Sequence, residues 1–105
     1  MTQVVLMRDQ GATGLGKIVP SVDSSNPSGR RSIQVGVTGT GAVSATVKIY
    51  GCNDGRFLVN VMTITVSGTN SATDAAQDDF PWEYYVAEVT TVSGAGALVS
   101  VTASM

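Results

Sequence analysis

The stretch Ser32-Ile33-Gln34-Val35-Gly36-Val37-Thr38-Gly39-Thr40-Gly41-Ala42-Val43-Ser44-Ala45-Thr46-Val47-Lys48-Ile49-Tyr50 decides the fold class. Ile33, Val35 and Val37 share one parity, against Ser32, Gln34 and Gly36 on the other. Beyond the Thr-Gly-Thr-Gly segment the pattern resumes, with Val43, Ala45, Val47 and Ile49 set against Ser44, Thr46, Lys48 and Tyr50. A period of two is the mark of a strand with one buried face. Thr38–Gly41 is expected to supply a tight reversal between two strands, because glycine permits the backbone that hairpin turns need.

Downstream, Asn53-Asp54-Gly55 is the strongest turn signal, since Asp-Gly tolerates the positive φ of a hairpin turn. It leads into a strand over Phe57–Ser67. There Phe57, Val59 and Val61 lie on one parity and Met62, Ile64 and Val66 on the other, which predicts a β-bulge near Asn60–Met62 or a sheet using both faces. Gly68–Asp79 reads as a polar loop with one short helical turn near Ser71 or Thr73. Phe80-Pro81-Trp82 opens an aromatic stretch, followed by a strand in which Tyr85, Ala87 and Val89 alternate with Tyr84, Val86 and Glu88. Ser93-Gly94-Ala95-Gly96 is expected to turn the chain into a last strand, Ala97–Ala103.

Composition agrees. Sixteen valines, twelve threonines, twelve glycines and only two glutamates make a strand-and-turn chain. No long helical period intervenes, so the expectation is an all-β, single-domain β-sandwich, jelly-roll-like, spanning residues 32–105. Residues 1–31 differ. Gln10–Arg31 carries Gly11, Gly14 and Gly16, one short strand at Lys17–Pro20 and a Ser/Asn/Pro/Gly-rich loop. This extended N-terminal segment reads either as an arm that orders against a partner or as edge strands with long connections.

A chain of 105 residues leaves room for one domain. Six Lys and Arg against eight Asp and Glu give a formal charge of -2. No basic face is available for phosphates, so nucleic acid is not an expected partner. No apolar run is long enough for a membrane-spanning helix, and Met1–Arg8 lacks the basic start of a secretion signal. There is no histidine and a single cysteine. Histidine triads, His or multi-Cys zinc sites and intrachain disulfides fall away together. Cys52 has no histidine to activate it and reads as a small strand-end residue. The chain is not expected to be an enzyme or to hold a cofactor.

Three segments superficially suggest sites. Gly11–Lys17 resembles a phosphate loop, but Ile18 stands where Ser or Thr is required and no helix follows. Asp74, Asp78 and Asp79 are close in sequence, yet lack the alternating spacing of a calcium loop, and so read as a solvated acidic loop. Phe80, Trp82, Tyr84 and Tyr85 are candidates for an oligomer interface or for the core, as aromatic side chains serve both. Self-association is expected on energetic grounds. A small glycine-rich domain with a Val/Ala core, no disulfide and no metal commonly gains stability from a partner.

The segment Val37–Gly55, with its Gly-x-Asn-Asp-Gly turn, the strand Ile64–Thr69 ending in Ser-Gly-Thr, and Pro81-Trp82-Glu83-Tyr84, resembles small proteins of tailed bacteriophages, among them head decoration (cement) proteins. The resemblance covers about Ile33–Ser104. It implies a non-enzymatic virion protein on the outer capsid surface, made in the host cytoplasm. Such a protein would associate as trimers, or next as dimers, and bridge neighbouring major capsid subunits. With it go capsid-contact candidates: Val4, Val5, Leu6, Met7 and Arg8 by strand addition or packing into a groove, and Arg30 and Arg31 as salt bridges to an acidic rim. The alternative is a glycan-binding or structural β module of a phage tail, tail tube or fibre.

Overall fold

Every backbone N–H and C=O of a strand needs a partner, and the central segment of this chain finds partners on both sides. The computed structural model describes residues 3–20, 31–78 and 82–104. Six strands form one antiparallel sheet, and no helix occurs among the described residues: β1 Gln3–Gln10, β2 Gly14–Leu15, β3 Val19–Pro20, β4 Arg31–Cys52, β5 Val59–Asp78 and β6 Tyr84–Ser104. The sheet order is β1-β6-β4-β5, with β2 and β3 also pairing with β6. The chain is all-β, as its alternation predicts.

The long strands run through segments that read as turns. Thr38–Gly41 does not reverse the chain, because Ile33–Val37 and Val43–Ile49 do not pair with each other. Both pair with β5 on one side and β6 on the other. Gly68–Asp78 likewise continues β5 beside β4, and Ser93–Gly96 lies within β6. What the glycines permit is a corner. A straight strand of 22 residues would reach about 70 Å, whereas the longest dimension of the molecule is 41 Å.

Connectivity requires the same bend. Arg31, at one end of β4, pairs with Asp78, and Cys52, at the other end, pairs with Tyr84. Asp78 and Tyr84 are six residues apart, a reach of at most about 20 Å, so the two ends of β4 must come together. The register slips where the bend lies, between Thr38 and Ala42 against β5 and between Thr38 and Ser44 against β6. Extra residues in one strand of a pair bend it and increase its twist. The Asn70 side chain, on a residue with φ of 63°, accepts a 2.8 Å hydrogen bond from the Gly41 N–H and ties β5 to β4 at the corner.

The bend keeps one face inside. On β4 the buried residues are Ile33, Val35 and Val37 before the corner and Val43, Ala45, Val47 and Ile49 after it. On β6 they are Tyr85, Val86, Ala87 and Val89, then Ala97, Val99, Val101 and Ala103. On β4 the odd parity runs unbroken across the corner. On β6 a register slip between Thr46 and Val47 turns Val92 inward beside Ala45, and the corner restores odd parity at Ala97, so the sheet keeps one apolar face inside. The expected bulge in β5 is present, since Ile49 pairs with Met62 and Tyr50 with Asn60, leaving Val61 as the extra residue. That residue moves the buried positions of β5 to Ile64 and Val66.

Leu6 and Met7 join this core at 3% and 6% exposure. Two adjacent residues point inward because β1 is itself bulged, its register slipping between Val5 and Met7 and again before Gln10. Gln3–Gln10 is therefore a packed edge strand. Leu6→Ala is expected to lower unfolding free energy by about 2–5 kcal/mol, read as a lower denaturant midpoint. Removal of Met1–Asp9 should cost more, since it also uncovers the outer edge of β6.

Candidate interaction surface

Gln3–Pro20 follows the outer edge of β6 at both of its ends. β1 lies on the half near the C-terminus, through Gln3↔Ser104 to Gln10↔Val99. β2 and β3 lie on the other half, pairing Gly14 with Val89 and Val19 with Tyr85. The Gly16 N–H donates to the Ala87 carbonyl at 2.7 Å, which holds the intervening segment against β6. Residues Gly11–Lys17 thus run as sheet edge and short connection, not as a strand-to-helix loop.

Between β1 and this segment lies a depression of about 330 Å³, lined by Val5, Leu6, Met7, Arg8, Gln10, Gly16 and Lys17. Leu6 and Met7 form its floor from the core side. Val5 is 37% exposed, Val4 is half-buried, and Arg8 and Lys17 reach solvent. Asp9 has φ of 51°, and its N–H donates to the Ser100 hydroxyl at 3.0 Å, fixing the bulge that turns Arg8 outward. Leu15 and Ile18, at 54% and 44% exposure, extend apolar surface along the same segment of chain. The surface offers apolar contact beside two cations, and no general acid–base pair.

The aromatic candidates separate. Tyr85 is fully buried in the core. Trp82 is half-buried and packs flat on Gly51, where an added Cβ would stand 2.4 Å from its Cγ, so only glycine fits beneath it. Tyr84 is half-buried in β6, and Phe80 lies outside the described residues. Phe57, expected at the start of a strand, lies instead in the connection before β5. It is 68% exposed at the β4–β5 connection, with the Arg56 guanidinium 5.1 Å from its ring centroid. The Asp54 carboxylate accepts from the Arg56 and Phe57 N–H groups, both at 2.9 Å, and these bonds hold its pKa below the ordinary value. The Asn-Asp-Gly signal identified the turn, and nothing in the alternation distinguished a strand start from a presented loop.

Arg31 is 1% exposed at the mouth formed by the two ends of β4, opposite Asp78, which is 3% exposed. The Tyr85 hydroxyl crosses the mouth and donates to Asp78 Oδ2 at 2.8 Å. Burial and that bond together raise the Tyr85 pKa. The three guanidinium nitrogens of Arg31 have no hydrogen-bond partner among the described residues. A salt bridge from Arg31 to a rim on another protein would require this mouth to open. Arg30 and Asp79 lie outside the described residues. Asp74 is exposed on β5 and Asp78 is inside, so these two carboxylates are not gathered, and no metal-holding group of three His, Cys, Asp or Glu occurs among the described residues. Cys52 is buried and unpaired. On the outer face, Tyr50 donates to Glu88 Oε1 at 2.8 Å, which raises the phenol's pKa.

Compared with protein families, with curated proteins and with solved structures, the chain matches none.

Proposed function

We propose that this chain is a non-enzymatic structural protein of a tailed-phage virion, a decoration protein that binds across neighbouring major capsid subunits on the outer surface of the head. In this reading the two halves of the bent sheet are the layers of a small jelly-roll-like sandwich. Gln3–Pro20 is the extension along one edge, and the protein acts as trimers or dimers. The observation that carries the reading is the edge depression, where exposed Val5 lies beside Arg8 and Lys17. Apolar contact flanked by cations suits an acidic, partly apolar rim. Opposite charges across an interface chiefly set encounter rate and register.

Two measurements test it. Mass spectrometry of purified particles should find this chain in a ratio near one to the major capsid protein; a handful of copies would move it to a tail component. Arg8→Glu/Lys17→Glu should reduce capsid occupancy about tenfold or more with little change in unfolding midpoint, since both side chains are exposed. Unchanged occupancy in the charge-reversed protein would remove this edge as the capsid contact.

A further inference from the structure

The two edges of the sheet are treated differently by the chain. One is covered by β1, β2 and β3, while β5 pairs only with β4, so that its other side is an open edge among the described residues. An uncovered edge is a template for another strand, and monomeric proteins blunt such edges with Lys, Pro or short length. β5 is 20 residues long and contains no Lys, Arg or Pro. The bulge at Val61 and the corner beginning at Gly68 limit its flat part to Met62–Ser67, which carries no charge.

This flat part reads almost the same in both directions: Met62-Thr63-Ile64-Thr65-Val66. Antiparallel pairing with its own copy about a two-fold axis at Ile64 places Thr63 opposite the second copy's Thr65. It also places Met62 opposite Val66, and Ile64 opposite itself. Every pair is then matched, with threonines on the outer face and apolar residues on the inner face. Thr63 and Thr65 are exposed, Ile64 and Val66 are buried, and Met62 is half-buried at the margin of the core. A second copy would cover Met62 and continue the apolar layer. A two-fold contact demands such self-complementarity, since residue i meets j wherever j meets i.

We infer that the protein forms a two-fold dimer by antiparallel pairing of Met62–Val66 with the same segment of a second copy. This inference is independent of the proposed function, which uses the opposite edge. A ladder this short buries less than a standard interface, and the dissociation constant is expected to be on the order of micromolar.

Sedimentation of the full chain up to about a millimolar should show a monomer–dimer equilibrium. Thr63→Glu/Thr65→Glu sets like charges opposite each other across the axis, and should weaken the dimer about tenfold or more. Within the monomer, the carboxylate introduced by Thr63→Glu would face Lys48, the partner of Thr63 on β4. Thr63→Glu/Thr65→Lys sets opposite charges across the same axis and should restore the dimer. A monomeric wild-type protein would overturn the inference, as would a dimer indifferent to the glutamate pair or a Glu/Lys variant no better than Glu/Glu. Should the glutamate pair prevent folding, Thr63→Cys/Thr65→Cys decides: oxidation is expected to give a covalent dimer, and an oxidised monomer overturns the inference.

Discussion

Gly94→Val is expected to destabilise the protein severely, by about 2–6 kcal/mol against a total stability of roughly 5–15 kcal/mol. Two costs combine there. Gly94 has φ of 126°, a backbone conformation that a β-branched residue scarcely adopts. A Cβ on it would also stand 2.8 Å from the Ala42 carbonyl oxygen and 2.8 Å from Val43 Cγ1. Both contacts belong to β4 at its own bend. The substitution therefore wedges two adjacent strands apart where the sheet closes on itself, and the loss should be cooperative, with both halves of the core released. Gly96→Ala is the control. Its φ of 64° carries left-handed strain, but an added Cβ meets nothing within 4 Å, and the cost should be only about 1–2 kcal/mol. Chemical denaturation of the two variants separates steric closure of the corner from backbone strain. Equal losses would show that the corner is not tightly packed at Gly94.

The corner also explains what was legible in the sequence. Alternation along β4 reveals its inward residues because their parity is the same on both sides of the bend. On β6 it reveals Tyr85–Val89 and Ala97–Ala103 but not Val92, which a bulge opposite Thr46–Val47 turns inward. The slip of parity between Val61 and Met62 foretells a bulge, and the bulge is there. What alternation does not carry is whether a Gly-rich interruption reverses a strand or bends it. Thr38-Gly39-Thr40-Gly41 has the local freedom for either. The choice is made by distant partners, since β4 is held on both sides by strands whose own interruptions, Gly68–Asn70 and Gly94–Gly96, fall beside it. The polar run after Gly68 reads as a loop for a related reason. It is an edge strand with one face to solvent and few large apolar side chains, so its strand character comes from pairing with β4 and not from its composition.

The interaction residues were less legible. Val4–Arg8 alternate too weakly to reveal that Leu6 and Met7 both face inward, because the bulges that turn them depend on pairing with β6. Arg31 looks like a surface cation beside a polar loop, and becomes interior only because the bend brings Asp78 and Tyr85 to it. The self-complementary edge at Met62–Val66 is visible in the letters. Its importance appears only once β5 is known to be terminal in the sheet.

The buried mouth yields the second large effect. Asp78→Ala is expected to cost about 1–3 kcal/mol, because it removes the charged acceptor of the buried Tyr85 hydroxyl and the negative charge on the residue that pairs with the buried Arg31. Arg31→Met/Asp78→Leu removes both charges and should recover much of that loss, since an apolar pair of similar bulk needs no desolvation of ions. Tyr85 adds a pH dependence of definite sign. Burial first, then its bond to the Asp78 carboxylate, raise the pKa of the folded phenol above its ordinary value of 10.0. The folded state therefore retains a proton that the unfolded state gives up. That contribution is fully present below about pH 10 and is lost as pH rises from there toward the folded value. Tyr85→Phe should flatten the alkaline limb of the stability profile while lowering stability at neutral pH. Tyr50→Phe should change that limb far less, because Tyr50 meets Glu88 on the solvated outer face. If the alkaline limb is unchanged in Tyr85→Phe, the hydroxyl does not bridge the two ends of the bent sheet in solution. The mouth would then be held by the apolar residues alone.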